Sequence, residues 1–169
     1  MKYVISLFIF VFLTVLGSCN FKDKVPNATI EIIDQFSGIE EVINGKDNEV
    51  TVLNFWSTAC PPCIKELPHF NQLATEYKDK KVKILLISLE DPKRLNSHIY
   101  PFVQKHGILP EVVVLNDQNY TAWTDKIDTS WYGALPATLI VKGPHRKFKF
   151  GSYTTYEELQ TDLDEIIGQ

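Results

Sequence analysis

The sequence predicts an α/β domain: a central mixed β-sheet, with a parallel core and a C-terminal antiparallel hairpin, flanked by helices on both faces. Three observations carry this expectation. The runs TVLNFW (51–56), VKILLISL (82–89) and EVVVL (111–115) are β-branched and nearly continuous, as strands buried on both faces must be. Helical patterns separate the runs, and strands alternating with helices build βαβ units on a parallel sheet. Near the C-terminus the pattern changes to alternation. ATLIV (137–141), the turn KGPHR and KFKFG (147–151) read as a hairpin, with Phe148 and Phe150 inward and Lys147 and Lys149 outward.

Taken in order, ATIEII (28–33) reads as an edge strand, and Phe36 to Ile43 as a short helix ending near Asn44-Gly45. After the first buried strand a helix runs from Cys60 to about Tyr77, with Pro68 inside it removing one hydrogen bond and predicting a kink. Further helices are predicted from about Lys93 to His106 and from Tyr120 to Ile127. The last helix starts at the capping box Thr155-x-x-Glu158 and repeats apolar residues at Tyr156, Leu159, Leu163, Ile166 and Ile167.

The chain has 169 residues, with 17 Lys and Arg against 21 Asp and Glu. A length of this order is one domain's worth, and residues 28–169 are expected to form it. An acidic balance without a basic run excludes nucleic acid as a partner, because a phosphate binder needs a basic patch. At 44% hydrophobic and 22% charged residues the composition is that of a globular protein, neither disordered nor a multi-span membrane protein.

The N-terminus reads as a targeting segment. Lys2 precedes fourteen uncharged, mostly apolar residues from Tyr3 to Leu16, too few for a membrane span of about 20. Gly17 and Ser18 then lead to Cys19, and the quartet Leu16-Gly17-Ser18-Cys19 is similar to the lipobox of bacterial lipoproteins, in which the Cys is acylated. Residues 1–18 are thus expected to be a signal peptide and residues 19–27 a polar tether from a lipid on Cys19 to the domain. A retained N-terminal anchor is the alternative.

With Cys19 acylated, Cys60 and Cys63 remain as the only thiols. A C-x-x-C bridge closes too small a loop to constrain the unfolded chain, so the pair serves redox or metal chemistry. Its place after a buried strand, opening a helix, favours redox. The first Cys at a helix N-terminus is stabilised as thiolate by free N–H groups and the dipole, and Pro61 suits the first turn. Cys60 is the expected attacking thiolate and Cys63 the resolving thiol. Structural zinc needs four ligands, and His69, His98, His106 and His145 are scattered. No cofactor is expected beyond the redox-active Cys60–Cys63 pair, and no metal.

Glu66 stands out on a helical projection. With Cys63 at zero, Leu67, Phe70, Leu73, Ala74 and Tyr77 form one apolar stripe centred near about 340°, and Glu66 falls inside it at about 300°. Lys65, Gln72 and Glu76 fall on the opposite side. A carboxyl within the stripe is desolvated, which raises its pKa toward the range useful for moving a thiol proton. The alternative is a helix-edge Glu that snorkels to water.

The segment FWSTACPPCIKELP resembles the active site of the TlpA/ResA family of thioredoxin-fold thiol–disulfide oxidoreductases of the bacterial envelope, and the similarity spans residues from about 36 to 168. The resemblance implies a thioredoxin fold, with Glu66 as the family's acidic residue and Asn54 in place of a buried Asp of cytosolic thioredoxins. It matches Gly133 to Thr138 to a loop with a cis bond before Pro136, which would turn the Leu135 backbone toward the cysteines to pair with a substrate segment. Pro61, Pro62, Leu135, Pro136 and, as the best aromatic candidate, Trp131 are the expected substrate contacts. Ala59 departs from the family, which usually has Trp there. The implied partners are disulfides of exported proteins, possible apocytochrome c thiols among them, and a membrane electron donor. A thiol peroxidase and a copper carrier are rival functions. The first lacks a Pro at Leu53, and the second would space its cysteines one residue further apart.

Overall fold

The computed structural model describes residues 29–45 and 49–169. The predicted signal peptide, Cys19 and the tether lie outside these residues. The elements run β1 (Glu31–Ile33), α1 (Ser37–Ile43), β2 (Val50–Trp56), α2 (Pro61–Glu76), β3 (Val82–Ser88), α3 (Tyr100–His106), β4 (Glu111–Leu115), α4 (Tyr120–Ile127), β5 (Ala137–Lys142), β6 (His145–Phe150) and α5 (Tyr156–Ile167). The six strands form one sheet in the order β1-β4-β3-β2-β5-β6. β1, β4, β3 and β2 are parallel, while β5 runs antiparallel to both β2 and β6.

Strand alternation divides the core into two layers. Val50, Val52 and Trp56 of β2, Leu86 of β3, Val112 and Val114 of β4 and Ile140 of β5 pack beneath α2, α3 and α5. Leu53, Phe55, Leu85, Ile87, Val113, Leu139 and Val141 face the other way, toward α1 and α4. Both faces are covered, which explains the near-continuous apolar runs. The C-terminal ends of β2 and β3 and the start of β5 meet at one edge of the sheet, where open α/β sheets place their sites.

Local expectations differ from the structure at several points. The predicted helix from Lys93 to His106 is three consecutive pieces: a 3₁₀ turn at Pro92–Arg94, a π-helical turn at Leu95–Ile99, and α3. Pro101 accounts for the break, since it has no N–H to donate to the carbonyl of residue 97. The hairpin turn is tighter than the five residues expected, with Gly143 (φ 54°) and Pro144 alone between β5 and β6. Phe148 packs inward, but Phe150, the last residue of an edge strand, is 55% exposed. α2 runs unbroken through Pro68, which lies on its exposed side.

Among the described residues no helix is long and apolar enough to cross a membrane.

Candidate active site

β2 delivers its last residue, Trp56, to the sheet edge, and a short loop of Ser57, Thr58 and Ala59 turns the chain into α2. Cys60 is the N-cap of that helix, with Pro61 and Pro62 in the first turn, where missing N–H groups cost nothing. Its sulfur accepts a hydrogen bond from the Cys63 N–H at 3.3 Å and is bonded to the Cys63 sulfur, with the two Cα atoms 5.3 Å apart. Cys60 is half-buried and Cys63 is 0% exposed. Of the two cysteines only Cys60 is open to solvent, and it lies at a helix N-terminus, a position that favours a thiolate over a thiol.

Glu66 is 0% exposed and lies one turn after Cys63 on the same buried stripe, which also holds Leu67, Phe70 and Leu73. Lys65, Gln72 and Glu76 are exposed, as the projection predicts. Both Glu66 oxygens accept N–H donors: Oε1 from the Asn54 amide at 2.9 Å and Oε2 from the Tyr153 backbone at 2.8 Å. Burial pushes the carboxyl up to about 7, against the opposing pull of Tyr153 N–H, the Asn54 amide and Lys149. It is thus poised between its acid and base forms at neutral pH.

Asn54 is equally buried. Its Nδ2 donates to Glu66 and also to Thr138 Oγ1 at 3.0 Å, its cross-strand partner on β5. Thr138 follows the Leu135–Pro136 bond, which is cis, by two residues, so one network links the proline loop to Glu66. Gly151 N–H closes this loop from the far side by donating to the Pro136 carbonyl at 3.0 Å.

Trp131 is not at the site surface. It is 2% exposed, packed against the rings of Phe55, Trp123 and Phe148 at 4.6, 5.8 and 6.0 Å. Its indole N–H donates to the Ala134 carbonyl at 2.8 Å, so it holds the proline loop from below. A buried Trp needs such a partner, and the loop carbonyl supplies it. Tyr132, the next residue, is the exposed aromatic at 80%, with its ring 6.3 Å from that of Phe150.

Two further groups escape a reading by motif. Glu90 is buried two residues past the end of β3 and grips the loop before Cys60, accepting the Thr58 N–H at 2.7 Å and the Thr58 hydroxyl at 2.9 Å. Arg94 Nη1 lies 3.3 Å from its Oε1. A carboxylate directly after a buried run, at the functional edge of the sheet, is the signal that marks it. The Tyr153 N–H has no such signal, since a backbone donor leaves no trace in residue type. Among the described residues no three His, Cys, Asp or Glu side chains gather as a metal-binding set.

The AhpC/TSA family profile matches residues 22–145. The chain is 35% identical over 149 residues to the thiol-disulfide oxidoreductase ResA of Oceanobacillus iheyensis, covering 87% of this chain and 67% of the relative. ResA of Halalkalibacterium halodurans is 25% identical over 136 residues, 80% of this chain and 72% of its own length. Among solved structures, a thioredoxin-family thiol:disulfide interchange protein from Chlorobium tepidum superposes with a TM-score of 0.61 at 17% identity, covering 72% of this chain and 82% of that one, and so shares the fold. The chain belongs to the AhpC/TSA family and, within it, to the TlpA/ResA-like thioredoxin-fold thiol–disulfide oxidoreductases.

Proposed function

We propose that this oxidoreductase works as a reductase of disulfides in exported proteins. The observation that carries the reading is the pairing of a reachable Cys60 at the helix N-cap with a buried Cys63 one turn from a desolvated carboxyl. In the reduced protein the Cys60 thiolate attacks a substrate sulfur. A mixed disulfide forms, and the first substrate sulfur leaves as a thiolate that takes a proton from solvent. Cys63 then gives its proton to Glu66 and attacks the Cys60 sulfur. That step forms the Cys60–Cys63 disulfide and releases the second substrate sulfur, so two electrons pass from protein to substrate. In the reverse direction Glu66 returns the proton to Cys63.

Pro61 and Pro62, exposed beside Cys60, and the half-buried Leu135 form the proposed contact surface, where an extended substrate segment pairs with the Leu135 backbone; Pro136 is itself buried and contributes by the cis bond that sets that backbone. The substrates are disulfides of envelope proteins, the disulfide formed between apocytochrome c thiols among them. A membrane dithiol donor restores the reduced pair. The protein sits at the cell envelope through a lipid on Cys19, and intact Met1 in native material, read by mass spectrometry, would overturn that placement.

Cys63→Ala tests the reaction. Without a resolving thiol, Cys60 stalls in a mixed disulfide that is stable to alkylation and released by reductant. Cys60→Ala should trap nothing. Equal trapping by both variants would exclude the assigned roles.

A further inference from the structure

The hydrogen bonds around Glu66 are those of a carboxylate, and only one of its partners can adapt to a proton. Oε1 and Oε2 each face an N–H donor, from Asn54 and from Tyr153. The Tyr153 donor is backbone and keeps its direction. The Asn54 amide is a side chain with both kinds of group: Nδ2 donates twice, while Oδ1 is buried with no hydrogen-bond partner among the described residues. The second partner of Asn54, the Thr138 hydroxyl, accepts here, and a hydroxyl donates equally well after rotation.

We propose that Asn54 is a positioning residue that reverses with the protonation of Glu66. Facing the carboxylate, its Nδ2 donates to Oε1 and to Thr138. When Oε1 carries a proton and the cysteines are joined as a disulfide, whose sulfurs accept only weakly, the amide turns over. Oδ1 then accepts from the Glu66 O–H, and the Thr138 hydroxyl rotates to donate to the same oxygen. Each state leaves one end of the amide without a partner, so the proton on Glu66 decides which of them is occupied. That reversal keeps Glu66 hydrogen-bonded whether it holds or lacks the proton. The buried carboxyl, pushed up to about 7, populates both states at neutral pH. The inference rests on the reading of Glu66 as the proton-carrying group and adds how the site holds either form.

Other charges face this pocket. Lys149 on β6 lies with its Nζ 5.1 Å from the centre of the Tyr153 ring, and the Tyr153 hydroxyl donates to Asp162 on α5 at 2.9 Å. Burial, with Asp162 next in effect, pushes the Tyr153 hydroxyl up, and Glu66 and Glu158 add to that shift. A control that removes only the Glu66 titration is therefore needed, and Glu66→Gln supplies it. With Gln Oε1 accepting from Tyr153, its NH₂ faces Asn54, which can satisfy it only by presenting Oδ1. The variant fixes the reversed amide.

The test is NMR on the oxidised full-length chain, following the Glu66 carboxyl carbon and the Asn54 side-chain amide from pH 5 to 9. The Asn54 Nδ2 and Cγ resonances should titrate with the Glu66 midpoint. The contact between Nδ2 protons and the Thr138 side chain, present at high pH, should vanish at low pH. In Glu66→Gln the Asn54 resonances should stay at their low-pH positions throughout. Retention of the Thr138 contact at both ends, or an Asn54 titration surviving in Glu66→Gln, overturns the reversal. Because the readout involves no substrate, it stands or falls separately from the reductase reading.

Discussion

Glu90 holds Thr58 by both of that residue's donors, the backbone N–H and the hydroxyl, across 32 positions of sequence. The grip matters because Thr58 lies two residues before Cys60, in a loop otherwise tied by Ser57 alone: its hydroxyl accepts the Ala59 N–H and its carbonyl the Cys60 N–H. Charge-assisted bonds to a buried carboxylate are the stronger kind, and the neighbouring Arg94 balances the charge.

Replacing Glu90 by Ala should therefore leave Thr58 without partners and Arg94 without its counter-ion. A loss of about 2–4 kcal/mol is expected from urea unfolding, in the range for breaking buried charge-assisted contacts. Disulfide reduction should slow as well, because Cys60 is no longer held at the N-cap. Glu90→Gln retains one acceptor and should lose less on both measures. Equal stability of Glu90→Ala and the parent would show that the loop holds itself.

Trp131 and Tyr132 give opposite expectations from adjacent positions. Trp131 is packed among three aromatic rings and bonded to the Ala134 carbonyl. Trp131→Ala should cost about 3–5 kcal/mol in urea unfolding, as for other buried Trp truncations. Tyr132→Ala, at an exposed site, should stay within about 0.5 kcal/mol of the parent. A small effect at Trp131 would mean that the proline loop does not depend on it.

These residues also show what a sequence carries and where it stops. The Glu66 position was legible because α2 obeys one local period, so a carboxyl within the stripe is expected to be buried. The C-x-x-C at a strand-to-helix turn was legible for the same reason. Trp131 was misplaced because nearness to Pro136 along the chain says nothing about which way a side chain turns. Phe150 follows the predicted alternation, yet as the last residue of an edge strand it stays exposed. The Asn54–Thr138 bond depends on β2–β5 register across 84 residues, which no local pattern encodes.

Burial of Glu66 makes stability depend on pH with a definite sign. Its carboxyl stands at about 7 in the fold against 4.5 for the free group. Between these values the folded protein keeps a proton that the unfolded chain has released. Stability should therefore fall as pH rises from about 4.5 to about 7 and level off above. At about 1.4 kcal/mol per unit the fall attributable to Glu66 is about 3 kcal/mol. Glu66→Gln should abolish it, so the oxidised variant gains on the parent between pH 5 and 8 in urea midpoint. Parallel pH profiles for the two proteins would place the native carboxyl in the ordinary range.

Under the proposed relay, turnover should depend on the same carboxyl through the opposite form. To take the Cys63 proton, Glu66 must be ionised, so the resolving step should quicken as pH rises through about 7 and then plateau. Glu66→Gln keeps the shape but cannot accept a proton, so the proton of the buried Cys63 must leave by way of solvent. A slowing of about 10- to 100-fold is expected, at the low end of general acid–base contributions because a water molecule can partly substitute. The inflection near 7 should disappear from the rate profile. Cys60 alkylation should be much less affected, since that thiolate depends on the helix N-terminus. If Glu66→Gln reduces a disulfide substrate at the parent rate from pH 5 to 8, the proton leaves Cys63 by another route and Glu66 has no part in the transfer.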